Sequence, residues 1–537
     1  MARNTVKEVG TMGILRDVKP HLLPSRVWSD GRNIRFNKNK VFRMGGVEEV
    51  LPATVTGLLN TGLATSATAK YLLYTTGAKC FSYDGISQVD ITRAFGGDYS
   101  EDADHLFNIQ MFNGLTLFNN GVDIPQQWLP GGTMENLINW DVTWTAKQMT
   151  SYKSILFALN MGEGVNLYPH RLRWSSPADP GALPSTWDAA DPTNEAGIID
   201  FSDTEAGVLV AAQELGDRLY VYKEGAIWVM NYIGGAALFS RVLLVRNIGL
   251  SVPRSLVTLP SLSQASVGHQ FFAGDENFYT MDGIRTTPIF EEVFRREILK
   301  LVDQTNYKSR SFSVVNYREN ELWFCVPEAG ADFCTLAFCL NYQNNSYSIR
   351  ELSGVSKIVS GIGIDVASGV AQADIPFDDE TLFDDETGFD DTVATLSKSV
   401  IIEASPGREQ LFYSDIGTKD YDGAPQLSYI ERVGLTTIKN DYRNPEADVQ
   451  QYEVRKLVTA IIPKLYAGAT QMFVGVQEKD VDVVTWTNVG TADGSKYRYN
   501  LGLPLSGRFL SFKFESIGDD AMELGGFDYE LNVLGEY

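Results

Sequence analysis

Apolar and polar residues alternate along this chain in short runs, each closed by Gly, Asn or Asp. The pattern is plain in KYLLYTTGAKCFSYDG (residues 70–85), GLTLFNNGVD (114–123), DRLYVYKEGAIWVMNY (217–232), QFFAGDENFYTMDGI (270–284), NELWFCVPEAGADFCTLAFCLNYQNNSYSI (320–349) and EQLFYSDI (409–416). Period-two alternation between turn residues reads as strands joined into hairpins. The expected turns are Lys223-Glu224-Gly225, Gly274-Asp275-Glu276-Asn277 and Asp282-Gly283. A helical stripe is expected at one place, IFEEVFRREILKLVD (289–303), where Phe290, Val293, Ile298 and Leu301 share a face.

Hairpins recur through most of the chain, farther than one sandwich would run, so the fold class expected is all-β: a β-propeller with four-stranded blades, followed by a C-terminal β-sandwich-like domain. The repeats have no WD series and no kelch signature. After residue 420 the strands lengthen, as in KLVTAIIPKLYAGATQMFVGVQ and SGRFLSFKFES, and Tyr421-Asp422-Gly423 marks the boundary. The expected division is an N-terminal arm and strand pair over 1–52, a propeller over 53–420 with an acidic insertion at 374–395, and the sandwich-like domain over 421–537. Within the arm, residues 31–36 and 41–45 form the strand pair around Asn37-Lys38-Asn39-Lys40.

Composition adds constraints. The 537 residues exceed what one core usually serves. Abundant Tyr, Phe and Gly suit strands and tight turns. A formal charge of −23 disfavours a surface that grips phosphates, so any contact with DNA is expected to be non-adhesive. Cys80, Cys325, Cys334 and Cys339 lack a zinc spacing and read as reduced core thiols. The start has no signal-peptide pattern and no run of about 18 apolar residues occurs, so synthesis and use in a cytoplasm are expected.

Enzyme signatures are missing: no H-E-x-x-H, P-loop, G-x-S-x-G or strand-following G-x-G-x-x-G is present, and the four histidines (His21, His105, His170, His269) form no motif. No catalytic residue, cofactor or metal ligand is assigned. Trp128, Trp174 and Trp187 read as fillers of the gaps between blades, with sugar-stacking platforms as the alternative.

The opening segment GILRDVKPHLLPSRVWSDGRNIRFNKNKVFRMGGVEEVLP (13–52) carries Leu-Leu-Pro, a Trp just before Asp-Gly, an Asn-Ile-Arg-Phe strand and a Gly-Gly. With NNGVDIPQQW (119–128), HRLRWSSPADPGALPSTWD (170–188), NEAGIIDF (194–201), the 217–232 block and the C terminus, it resembles the nozzle or hub proteins in the tails of short-tailed bacteriophages. That resemblance implies a non-enzymatic structural virion protein, a homohexameric ring around the DNA exit channel. It would seal the genome, sit in the virion tail, and join a head-to-tail adaptor ring to tail fibres or tip proteins while genomic DNA passes through without sequence-specific binding. The alternative is a receptor- or glycan-binding propeller of a tail fibre or surface protein, with glycoside hydrolysis as a further possibility.

One segment stands apart. FDDETLFDDETGFDD repeats every six residues, placing Phe377, Phe383 and Phe389 before Asp378-Asp379, Asp384-Asp385 and Asp390-Asp391. Three readings remain open: turns whose rings pack on a blade, a Ca²⁺-binding carboxylate cluster, or an inter-subunit or channel-facing loop with Phe anchors. The expectation taken from them is that the rings hold the segment down and the carboxylates keep its outer face hydrated.

Overall fold

The computed structural model describes residues 2–536, apart from 8, 67–68, 202–206, 236–237, 262–267, 292, 363–398, 437–438, 441–447 and 450–451. Among the described residues, seven four-stranded antiparallel sheets follow one another along the chain. Their first strands are Asn60–Thr65, Asn108–Phe112, Trp144–Tyr152, Leu209–Leu215, Val257–Leu259, Phe312–Asn316 and Lys357–Ile362. The first strands of sheets one to four pack in order, as do those of sheets five to seven, the seventh packs against the first, and sheets four and five meet through Tyr220, Tyr222, Phe272 and Met281, so the sheets form a closed propeller with these strands innermost. They are called blades 1 to 7 below.

The expected turns lie where the polar residues interrupt the alternation. Arg218–Lys223 and Ala226–Tyr232 flank Glu224-Gly225, and His269–Ala273 and Phe278–Met281 flank residues 274–277. Blade cores are apolar and aromatic; in blade 6, Trp323, Cys325, Cys334 and Cys339 are buried together.

Blade 7 takes its last strand from the other end of the chain. Val47–Glu49 pairs with Gln410–Ser414, with Glu48 opposite Tyr413. The ring is therefore closed by residues about 360 positions apart in sequence, and Val47–Glu49 covers the outer edge of Gln410–Ser414.

Apart from the small pair Lys439–Asn440 and Asp448–Val449, the remaining strands build a sandwich from both chain ends. One sheet runs Ile34–Asn37, Lys40–Arg43, Glu523–Glu536, Val454–Ala467, Tyr499–Gly507, with Ala2–Lys7 also on Glu523–Glu536; the other runs Asp30–Arg32, Tyr429–Leu435, Phe509–Ser516, Thr470–Gln477, Thr485–Ala492. Phe512, Phe514, Phe527 and Tyr529 interlock between them. Residues 421–423 lie in the connection between the last strand of the propeller and the sandwich, in a turn where the Asp420 N–H donates to the Ala424 carbonyl.

Three expectations need correction. Residues 1–52 are not a separate arm: they supply strands to both sandwich sheets and to blade 7. Nor is residues 31–36 one strand. Asn33, at φ 53°, breaks it, so Asp30–Arg32 joins one sheet and Ile34–Asn37 the other. The Asn33 amide holds this crossing, donating to the Leu427 carbonyl at 2.9 Å while its oxygen accepts from the Glu351 N–H at 2.9 Å. The helix is also shorter than expected, covering only Arg295–Leu301. Thr286–Ile289 is instead the outer strand of blade 5, and Phe290 turns the chain at φ 60° with its ring buried.

Candidate functional site

The nine residues singled out in the acidic repeat, Phe377, Asp378, Asp379, Phe383, Asp384, Asp385, Phe389, Asp390 and Asp391, lie outside the described residues. Two other places concentrate charge inside the molecule: the joint between propeller and sandwich, and the central channel of the propeller.

At the joint, Asp415 is the hub. It sits just past the third strand of blade 7 with its side chain fully buried. Arg35, from the Ile34–Asn37 sandwich strand, donates to it at 2.8 Å; Arg318 and Asn316, from blade 6, donate at 3.1 and 2.9 Å; and the Gly45 N–H donates at 3.0 Å. Arg35 also makes two parallel 3.1 Å bonds to Glu321, whose carboxylate accepts from Trp323 Nε1 at 2.9 Å. Arg350, buried above the Trp323 ring, lies 3.7 Å from Asp415 and donates to the Gly45 carbonyl at 2.9 Å. Burial opposes ionisation of Asp415, yet the facing guanidinium groups hold its carboxyl below the ordinary range. Every charge here faces an opposite one.

Gly45 and Gly46 make this approach possible. A Cβ on Gly45 would lie 2.4 Å from the Asp415 carbonyl carbon, and one on Gly46 only 2.0 Å from the Lys419 oxygen. The Trp of the same segment, Trp28, is buried between the sheets against Phe514 and Phe527, with its indole N–H on the Val9 carbonyl at 2.6 Å.

The central channel differs. It opens into a cavity of about 490 Å³ at the ends of the inner strands where they begin in blades 4 to 7. Of the basic residues that line it, His105 and the exposed Lys147 lie toward solvent, and Lys357 and Arg254 lie deeper. Lys357 begins the inner strand of blade 7, and Arg254 belongs to the short 3-10 turn Pro253–Ser255 that leads into blade 5. Arg254 donates to the backbone carbonyl of Ser309, and its Nη1 is buried with no hydrogen-bond partner. Among the described residues, Lys357 Nζ has neither a hydrogen bond nor an ion pair. Burial, and then the charge of Arg254, pull the Lys357 ammonium down to about 8; burial pulls Arg254 down to about 10.

The polar wall is amide-rich, with Asn108, Asn119, Asn160 and Gln148 facing the cavity. Beside it, Glu101 accepts from Asn60 at 3.0 Å and from the Phe107 N–H at 2.9 Å, linking blades 1 and 2, and burial pushes its carboxyl up to about 7.

The remaining sequence candidates fall as follows. Trp128 and Trp187 are buried between adjacent blades, Trp128 edge-on to Tyr71 and Trp187 edge-on to Trp140 at 4.8 Å, so neither offers a face to a sugar. Trp174 packs over Gly197 and Phe239. All four cysteines are buried and unpaired. Among the described residues, no cluster of three or more His, Cys, Asp or Glu is placed to hold a metal, and no helix is long and apolar enough to cross a membrane.

No family model and no curated protein matches the chain. Solved structures do. PorZ, an essential bacterial surface component of the type-IX secretion system of Porphyromonas gingivalis, aligns at 10% identity and TM-score 0.34 over 81% of this chain, which spans 46% of the PorZ chain. The WD40 domain of Neurospora crassa Pan2 aligns at 6% identity and TM-score 0.35, over 71% of this chain and 97% of that domain. The computationally designed protein Ika8 aligns at 10% identity and TM-score 0.35, over 69% of this chain and all of Ika8.

Proposed function

We propose that the protein is a structural component of a short bacteriophage tail, a nozzle or hub subunit that assembles as a ring around the DNA exit channel. The observation that carries this reading is the role of residues 13–52. The segment with the densest resemblance to such proteins closes blade 7, contributes to both sandwich sheets and supplies Arg35 and Gly45-Gly46 to the joint. Its characteristic residues are thus accounted for by architecture rather than by catalysis.

A subunit through which a genome is ejected must not come apart at a domain boundary. Here both chain ends are woven into one sandwich, and the propeller cannot open without breaking the Val47–Glu49 pairing. The charge of −23 suits a wall along which DNA slides, because fixed negative charge repels phosphates within a Debye length of about 8 Å at physiological salt.

Negative-stain electron microscopy of the purified chain, alone and with the neighbouring tail proteins, tests the reading. A sixfold ring with a central hole is expected. A monomer under both conditions, or a trimeric rod, contradicts it.

A further inference from the structure

We propose that the central cavity of the propeller is a binding site for a phosphate-class oxyanion, free or carried on a small molecule, held by Lys357 and Arg254 and by the amide of Gln148. This is independent of the proposed tail function.

Neither cation has a carboxylate partner. Lys357 Nζ is unpartnered among the described residues, and Arg254 spends its bonds on backbone carbonyls while Nη1 is left without one. Asp104 and Glu101 act on Arg254 only from beyond ion-pair distance, and the acids of the wall have other partners or face solvent. Asp104 accepts from Ser309 at 2.7 Å and from Arg310 at 3.1 Å, and Glu224 is exposed and accepts from the Val208 N–H. His105 is paired with Asp102 at 2.9 Å, and Lys147 is exposed at the mouth.

Two like charges, each partly buried in one cavity, repel each other and are unfavourable without a counter-ion. A dianionic head group would face both, with charge-assisted hydrogen bonds to each. Gln148 fits the same purpose: its oxygen accepts from the Ala212 N–H at 3.1 Å, which leaves its Nε2 as a donor with no partner among the described residues. At about 490 Å³ the cavity exceeds one inorganic ion and falls in the range of small-molecule sites, roughly 300–1,000 Å³, so it has room for the body of a phosphate ester beside its head group.

Isothermal titration of the full chain with inorganic phosphate and with adenosine monophosphate, at matched ionic strength in chloride, tests the site. Saturable 1:1 binding of at least one probe is expected. Lys357→Met should weaken it about tenfold or more, and Lys357→Arg should hold it within about threefold. Tighter binding of the nucleotide marks an ester as the ligand, and equal affinities mark free phosphate. No saturable binding of either probe up to about 10 mM overturns the proposal. So does unchanged affinity in a folded Lys357→Met protein; if that variant does not fold, the titration of the unmodified chain decides alone.

Discussion

The joint holds buried charge and the channel partly buried charge, and they resolve it in opposite ways. At the joint, Arg35, Arg318 and Arg350 meet Asp415 and Glu321 at hydrogen-bond or ion-pair distance, with Asn316, Trp323 and the Gly45 N–H filling remaining valences. In the channel, Arg254 and Lys357 share a cavity with no carboxylate on either. A charge network that is complete holds elements together, and removing one member leaves the others buried and unpaired. Cations left incomplete weaken the fold unless something from outside completes them. The joint therefore reads as architecture and the channel as a place where a ligand belongs.

Breaking the joint should have the largest effect. Asp415→Asn keeps the side-chain shape and suits the φ of 62° at this position, so it isolates the charge. It should lower stability by about 3–5 kcal/mol in denaturant unfolding, because Arg35 and Arg350 lose their shared counter-ion. Gly46→Ala comes next. Its Cβ meets a backbone oxygen that cannot swing aside, and a loss of about 1–3 kcal/mol is expected in the same assay.

Relieving the channel should act in the other direction. Lys357→Met should raise the stability of the ligand-free protein at pH 7 by roughly 1–2 kcal/mol, by removing an unmatched cation. An exposed pair provides the small end of the scale. Lys308 and Asp275 lie 2.8 Å apart with side chains 61% and 70% exposed, and Lys308→Ala should change stability by less than about 0.5 kcal/mol.

Much of the fold was legible from local pattern. The hairpins at 70–85, 217–232, 270–284 and 320–349 lie within single blades, where alternation and turn chemistry are decided by neighbours in sequence. What was not legible depends on distant partners. Asp30–Arg32 finds Tyr429–Leu435, and Val47–Glu49 finds Gln410–Ser414, and nothing within either short strand announces a partner some 400 or 360 residues away. The helix over 289–303 was overread for a related reason. Phe290, Val293 and Ile298 are buried in one core whether the chain is helical or turning, so an apolar stripe appears across a strand end, a turn and a helix.

The channel left the faintest trace. Arg254 in VPRSL and Lys357 in GVSKIVS are single basic residues in apolar surroundings, a signal of partly buried cations, but only ring closure brings them together. The Gly-Gly at 45–46 was visible as a motif, while the contact that requires it, with residues 415 and 419, was not.

The contrast between the two regions is tested most directly by the unfolding midpoint of the protein and its Lys357→Met variant, measured side by side from pH 7 to 9.5. In the folded protein Lys357 titrates at about 8, below its ordinary 10.5, so the native state binds fewer protons than the unfolded chain across this window. The stability of the unmodified protein should then rise relative to the variant as the pH passes about 8, and the advantage of the variant at pH 7 should shrink. Two curves that stay parallel across the window would mean that Lys357 is already compensated, and the distinction between a matched joint and an unmatched channel would fail.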